Sequence, residues 1–241
     1  MKKVCVLLLF VAFVCTSTFA IAGQTGVYIA PKFIYSYQRI DNAELKGSIT
    51  GIGSESFGLS SDKDSSFGGA LAIGYNFQPN YDVPIRTEIE YAMRSESEGK
   101  YSDAYYDGPV LVKLSGSMKF DVQSVFLNLY YDIDTGTKFT PYIGGGLGVA
   151  IIDTKGNLKV TEDGVTEFDN SASNSETNFA FNLAAGVGYD VSDNFTLDLG
   201  YRYADFGEGE TGNVIDVSNV SLKGEARIVA HEVLFGLRYE F

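Results

Sequence analysis

The chain has 241 residues, a formal net charge of −13, one His, two Cys and no Trp. So acidic a protein is not a nucleic-acid binder, and it is not held to anionic lipid by simple charge. No apolar run reaches 18 residues, which excludes helical membrane spans but not strand spans, whose only signal is alternation.

Residues 1–22 read as a cleaved secretory leader. Lys2 and Lys3 open it, Val4 to Cys15 is apolar throughout, and Ala20-Ile21-Ala22 is a small-x-small cleavage signal. Val14 stands where a lipobox needs a small residue, so lipidation at Cys15 is set aside. The mature chain is expected to be one domain, 23–241. Removing two lysines from −13 leaves it at −15. Both cysteines, Cys5 and Cys15, depart with the leader, so the mature chain has no disulfide and no cysteine metal site.

Eight segments then alternate with a period of two, the mark of strands with unlike faces. Val27–Gln38 sets Val27, Ile29, Pro31, Phe33, Tyr35 and Tyr37 outward, against Lys32, Ile34, Ser36 and Gln38. Phe67–Phe77 sets Leu71, Ile73 and Tyr75 outward over small inward residues. A tight turn at 78–82 leads to Val83–Arg94, with Ile85, Ile89 and Tyr91 outward. The fourth strand carries Val125, Leu127, Leu129, Tyr131 and Ile133. A turn at 134–138 leads to Phe139–Ile152, whose inward side holds Gly144, Gly146 and Gly148. The sixth strand carries Phe179, Phe181, Leu183, Val187 and Tyr189. A turn at 190–194 leads to the seventh, with Phe195, Leu197, Leu199, Tyr201 and Tyr203. The eighth sets Val233, Phe235, Leu237, Tyr239 and Phe241 against Glu232, Leu234, Gly236, Arg238 and Glu240.

The expected loops are 41–66, 95–121, 153–177 and 205–225, with segments such as Val110–Leu114 and Val214–Val220 alternating enough to extend strands beyond the membrane. Long and short connections alternate, and outward aromatics gather at both ends of the strands. That pattern predicts an all-β fold: an eight-stranded antiparallel up-and-down transmembrane barrel with four long outer loops and three short periplasmic turns. A soluble sandwich or lipocalin-like barrel also alternates, but its aromatics need not form two rows.

Phe139-Thr140-Pro141-Tyr142-Ile143-Gly144-Gly145-Gly146-Leu147-Gly148 resembles the fifth-strand signature of the small outer-membrane β-barrel proteins of the OmpA/opacity-protein type. Leu127-Asn128-Leu129-Tyr130-Tyr131-Asp132, Leu199-Gly200-Tyr201-Arg202-Tyr203 and the ending Gly236-Leu237-Arg238-Tyr239-Glu240-Phe241 resemble neighbouring motifs. The resemblance implies a place in the outer membrane among lipid and lipopolysaccharide. It also makes Tyr239 and Phe241 the signal read by the barrel-assembly machinery. No room is expected after Phe241 for the peptidoglycan-binding domain of two-domain relatives. These motifs specify the fold well and the function poorly.

For function, three classes are weighed. The first is a monomeric structural or surface-interaction protein, serving envelope integrity, adhesion or as a surface antigen. The second is a narrow passive porin, which needs a clear lumen. The third is a lipid-active enzyme, which needs His, Ser and a carboxylate together at the rim. The lone His231 faces outward between Val229 and Val233, so it reads as an interfacial side chain. Glu88 and Glu90 are spaced for acid–base work but share their face with Arg86 and Arg94, which favours ion pairing. No cofactor or metal site is expected.

Inward positions carry Lys32, Arg86, Arg94, Arg202 and Arg238 against Glu88, Glu90, Asp132, Asp198, Glu232 and Glu240. The expectation is a charge network that plugs the barrel, with Arg202 facing Glu232 and Asp198 a diagonal neighbour of Arg238. The loops hold net charges of −3 (41–66), −2 (95–121), −4 (153–177) and −3 (205–227), twelve of the fifteen net negatives. That acidity suits a basic partner on a host or cell surface, or divalent cations shared with lipopolysaccharide. The plainer alternative is a solvated, self-repelling surface.

Overall fold

A backbone in hydrocarbon has no water to bond, so a sheet there must close on itself. The computed structural model shows that closure; it describes residues 25–49, 53–58, 63–107, 109–210, 215–217 and 220–241. The expected leader lies outside these residues.

Eight long strands form the wall: β1 (Val27–Ile49), β3 (Lys63–Asn76), β4 (Ile85–Arg94), β6 (Val110–Asp132), β7 (Phe139–Glu162), β8 (Val165–Asp190), β9 (Phe195–Glu210) and β11 (Val220–Glu240). Each pairs antiparallel with the next, and β11 returns to β1. Three further strands, β2 (Gly53–Gly58), β5 (Ser97–Asp107) and β10 (Ile215–Val217), pair with β1, β6 and β11 above the wall. The seam is pinned at its foot: the Thr25 amide donates to the Phe241 carbonyl at 2.7 Å, and the Phe241 amide to that of Val27 at 2.9 Å.

The period-two pattern decides which way each side chain points. Leu127, Leu147 and Leu183 are all more than 60% exposed and face the lipid, while Ala72, Asn128 and Ala180 on the other face are buried. Two aromatic girdles bound the apolar band. At the short-turn end, Tyr75 packs on Phe77 with ring centroids 4.8 Å apart, Phe139 on Tyr189 at 4.9 Å, and Phe195 on Tyr239 at 4.8 Å. At the other end Tyr35 packs on Phe67 at 5.4 Å, and Tyr203 on His231 at 5.6 Å.

The long connections differ from their expected form. Most of the stretches taken as loops continue the strands. The segment 153–177 is a straight continuation of β7 into β8, turning on two residues with positive φ, Asp163 (44°) and Gly164 (85°). Asp-Gly is the signature of a type I′ hairpin, so a local signal for this turn was present in the chain. The alternation rule misses 153–177 because that segment is polar on both faces, and such a strand has no period. The run 110–114, expected to extend a strand, lies in β6. The expected tight turn at 78–82 is a single helical turn, α1 (Gln78–Tyr81), closed by Asp82 in the left-handed region.

Small residues let the wall close tightly. A Cβ added at Gly146 would overlap Asn128 Oδ1 and crowd Asn182 Nδ2; one at Gly148 would crowd Phe126, and one at Gly74 would run into the Tyr28 ring. Large side chains of one strand thus lie across glycines of the next. Gly146→Leu is expected to abolish the fast-migrating form in unboiled gels, because overpacking costs about 1–3 kcal/mol or more and nothing in a closed wall can yield. Leu147→Met, one position along but facing lipid, is expected to leave that form intact.

Candidate functional site

The lumen of an eight-stranded barrel is just wide enough for side chains. Here the inward positions of β1, β4, β9 and β11 meet at mid-height and carry opposite charges. Lys32 Nζ donates to Glu88 Oε1 and, at 2.7 Å, to Glu90 Oε2. Arg202 donates through Nη1 to Glu90 and through Nε to Glu232 Oε2 at 2.7 Å. Arg94 donates through Nε to Glu232 Oε1 at 2.6 Å and through Nη1 to Ser124 Oγ at 3.1 Å. The result is one alternating chain: Glu88, Lys32, Glu90, Arg202, Glu232, Arg94. Glu90 and Glu232 are fully buried and Arg202 is 1% exposed. Glu88 also accepts from Tyr28 Oη, Asn128 Nδ2 and Tyr130 Oη, at 3.2, 3.2 and 3.0 Å. Three cations answer three carboxylates, as buried ions require, and Glu88 takes further hydrogen bonds on both of its oxygens.

Register sets these meetings. Arg202 lies opposite Glu232, Gly200 opposite Leu234 and Asp198 opposite Gly236. On the diagonal, Arg238 Nε is 3.9 Å from Asp198 Oδ2, a looser contact than those above. Lower in the lumen Arg86 grips Asp132 with two parallel bonds, Nε to Oδ2 at 2.6 Å and Nη2 to Oδ1 at 2.9 Å. Its guanidinium lies 5.1 Å from the ring centroids of Tyr130 and Tyr142. Glu240 accepts from Asn76 Nδ2 at 3.1 Å. A cavity of about 30 Å³, lined by Arg238, Asp198, Lys32 and Arg86 among others, separates this layer from the central chain.

Above the charges is a layer no sequence reasoning assigned. Phe120, Val122, Phe126, Ala150, Ile152, Ala180, Ala204, Phe206, Ala226, Ile228 and Ala230 form one buried apolar cluster across the outer mouth. The two layers touch through ring faces: Arg94 sits 4.4 Å from the Phe206 centroid and Arg202 5.8 Å from that of Phe126. Phe120 and Phe206 fall in stretches expected to be loops. The signal was there: Phe120, Val122, Ser124 and Phe126 continue one inward row.

The other candidate groups are held elsewhere. Glu88 and Glu90 are both engaged by Lys32 and are not a free carboxylate pair. His231 Nδ1 and Tyr201 Oη lie 2.6 Å apart on the outside of the barrel. Tyr239 faces outward against Phe195, with Phe241 stacked edge-on at 5.0 Å. Among the described residues no group of three or more His, Cys, Asp or Glu could hold a metal ion.

Truncating either layer should be costly. Arg202→Ala leaves Glu232 with one cation and Glu90 with Lys32 alone, and is expected to cost about 3–5 kcal/mol. Phe206→Ala opens the apolar layer and is expected to cost about 3–5 kcal/mol as well. Urea unfolding of the protein in lipid vesicles measures both.

Comparison with known proteins places the chain. The family model described as "Outer membrane protein beta-barrel domain" matches residues 6–241. Outer membrane protein PagN of Salmonella typhimurium is 26% identical over 240 residues, covering 99% of this chain and 98% of that protein. A putative adhesin of Rickettsia conorii is 29% identical over 73% of this chain and 68% of its own length. In fold, the crystal structure of OprG from Pseudomonas aeruginosa is similar with a TM-score of 0.50 at 13% identity, over 91% of this chain and 97% of that one. The closed wall, the two girdles and the family match lead to one conclusion: the chain belongs to the outer membrane protein β-barrel domain family and resides in the bacterial outer membrane.

Proposed function

We propose that this barrel acts through its outer surface, in adhesion or another contact with a foreign surface, and conducts nothing through its lumen. The carrying observation is the filled lumen. A barrel that passes solutes needs a continuous wet path. Here an ion chain crosses the middle and an apolar layer of eleven residues lies across the outer mouth. The narrow-porin reading is therefore set below the surface one.

What remains available is the crown. β6, β7 and β8 run well past the outer girdle, and the upper half of β8 is polar. Ion pairs decorate its base, such as Arg227 with Asp205 at 2.6 Å and Lys119 with Glu96 at 2.8 Å. A rigid, hydrogen-bonded sheet presents side chains with less entropy to lose on binding than a loop does. The similarity to a putative adhesin of Rickettsia conorii supports the same reading. An enzymatic role has no support in the rim, where His231 meets Tyr201 and Tyr203.

The reading includes the chain's route to its place. Residues 1–22 act as the leader and Gly23 begins the mature domain. Tyr239 and Phe241 serve as the assembly signal. The girdles sit among outer-membrane lipid and lipopolysaccharide around a monomer.

Two measurements test the proposal. Planar-bilayer recording is expected to give no stable conductance from the wild-type protein; large, lasting single channels would reverse the order of the two readings. Replacing 156–172 by a two-residue turn is expected to keep the heat-modifiable barrel and lower attachment of expressing bacteria to matrix-coated surfaces by about tenfold, equivalent to 1.4 kcal/mol. Unchanged attachment would remove the crown from the mechanism.

A further inference from the structure

Among the described residues, the large apolar side chains that stay exposed fall in three places. Most face lipid, and Tyr81, Val83, Ile133 and Val191 stand at the periplasmic turns. The third place is the crest of the crown. There Tyr106 is 73% exposed, Val165 61%, and Leu111 and Phe168 37% each. These four lie toward the far ends of two hairpins, β5–β6 and β7–β8. At about 3.3 Å per residue, Leu111 is roughly 45 Å along β6 from the lipid-facing Val125. Neither lipid nor the girdle accounts for apolar groups at that distance.

Backbone bonds bring the two hairpin ends together. Tyr106 pairs with Leu111 across β5 and β6, and Glu162 with Val165 across the turn from β7 to β8. The Leu111 amide donates to Asp163 Oδ1 at 2.9 Å, and the Asp163 amide donates to the Leu111 carbonyl at 3.0 Å. This two-way clasp sets the end of one hairpin beside the end of the other. Phe168 follows on β8, opposite Val160. A single exposed apolar residue needs no explanation, but four at adjoining hairpin ends mark a contact surface. Groups whose backbone is already held lose less freedom on binding. The ends 105–111 and 160–168 also carry Asp107, Glu162, Asp163 and Glu167, with no Lys, Arg or His. Glu162 is exposed, and Asp163 spends one carboxylate oxygen on the clasp.

We propose that the crest of Tyr106, Leu111, Val165 and Phe168 docks into an apolar pocket of a partner protein whose rim is basic. The inference rests on the surface-contact reading above and names the partner's chemistry. The aromatic and aliphatic anchors supply affinity by leaving water, and the carboxylates around them select a basic rim. Those carboxylates also argue against other occupants. Insertion into a bilayer would carry Glu162 and Asp163, which adjoin Val165, toward hydrocarbon. Docking on a second copy of this chain would set four carboxylates against four.

The test uses bacteria expressing the full-length protein, on surfaces coated with basement-membrane matrix. Tyr106→Ser combined with Val165→Ser is expected to keep the heat-modifiable barrel and to lower attachment by about tenfold. Tyr106→Phe combined with Val165→Ile keeps the apolar area and is expected to keep attachment. Glu162→Lys is expected to lower attachment about threefold, because it sets like charges against the basic rim. Digesting the coat with protease is expected to remove attachment. Undiminished attachment of the doubly serine-substituted variant, or attachment that survives protease, would overturn the proposal. So would flotation of the purified protein with neutral phosphatidylcholine vesicles, or dimers of it, that the two serine substitutions abolish. If those substitutions change nothing while removal of 156–172 abolishes attachment, the crest is wrong and the surface reading stands. Wild-type cells that fail to attach would sink both.

Discussion

The buried ion chain from Glu88 through Lys32, Glu90, Arg202 and Glu232 to Arg94 governs this molecule. Each of these charges would be costly alone in a lumen walled off from water. Together they cancel, but only if β1, β4, β9 and β11 stand in one register. A slip of one residue on any of these strands would turn its charges into lipid and its apolar residues into the lumen. The network therefore acts as a register lock as much as a filling. It ties strands distant in sequence, such as β1 and β4 to β9 and β11, across the barrel's interior.

The same narrowness explains the glycines and the apolar cap. Tyr28, Asn128 and Phe126 project inward, and each needs a neighbouring position without a side chain, supplied by Gly74, Gly146 and Gly148. Higher up the charges end. The space is filled by Phe120, Phe206 and Ile228 with small alanines between them. Arg94 and Arg202 lie against aromatic faces at this boundary, so neither guanidinium abuts bare hydrocarbon. Charge balance below and dry packing above close the passage by two unrelated means. Work on the outside is what such a filled barrel leaves open.

Above the membrane the constraint relaxes. Water can satisfy a backbone group there, so the wall may split without the cost it would carry in lipid. The bulge at Gly207 uses that freedom, sending β9 toward β11 while β8 stays with β7. The crown is built of paired strands, a different object from the loops that polar composition suggests.

Much of this was written in the chain. The outward rows of Val233, Phe235 and Leu237 or Leu127, Leu129 and Tyr131 fix the strands and their faces, because a bilayer allows only apolar side chains on one side. Once Arg202 is set across from Glu232, counting along two antiparallel strands also places Gly200 opposite Leu234 and Asp198 opposite Gly236. Three things did not follow. The extensions through 153–177 were hidden because a strand wet on both faces has no period, although Asp163-Gly164 marked its turn. The cap of Phe120 and Phe206 was hidden because both sit beside polar chain that composition marks as loop, although Phe120 continues the inward row of Val122, Ser124 and Phe126. The linking of Lys32 to Glu88 and Glu90, of Arg94 to Glu232 and of Arg202 to both halves belongs to tertiary structure alone. Which carboxylate a cation meets across a lumen depends on strand tilt and stagger, which closure of the whole barrel sets and no single strand encodes.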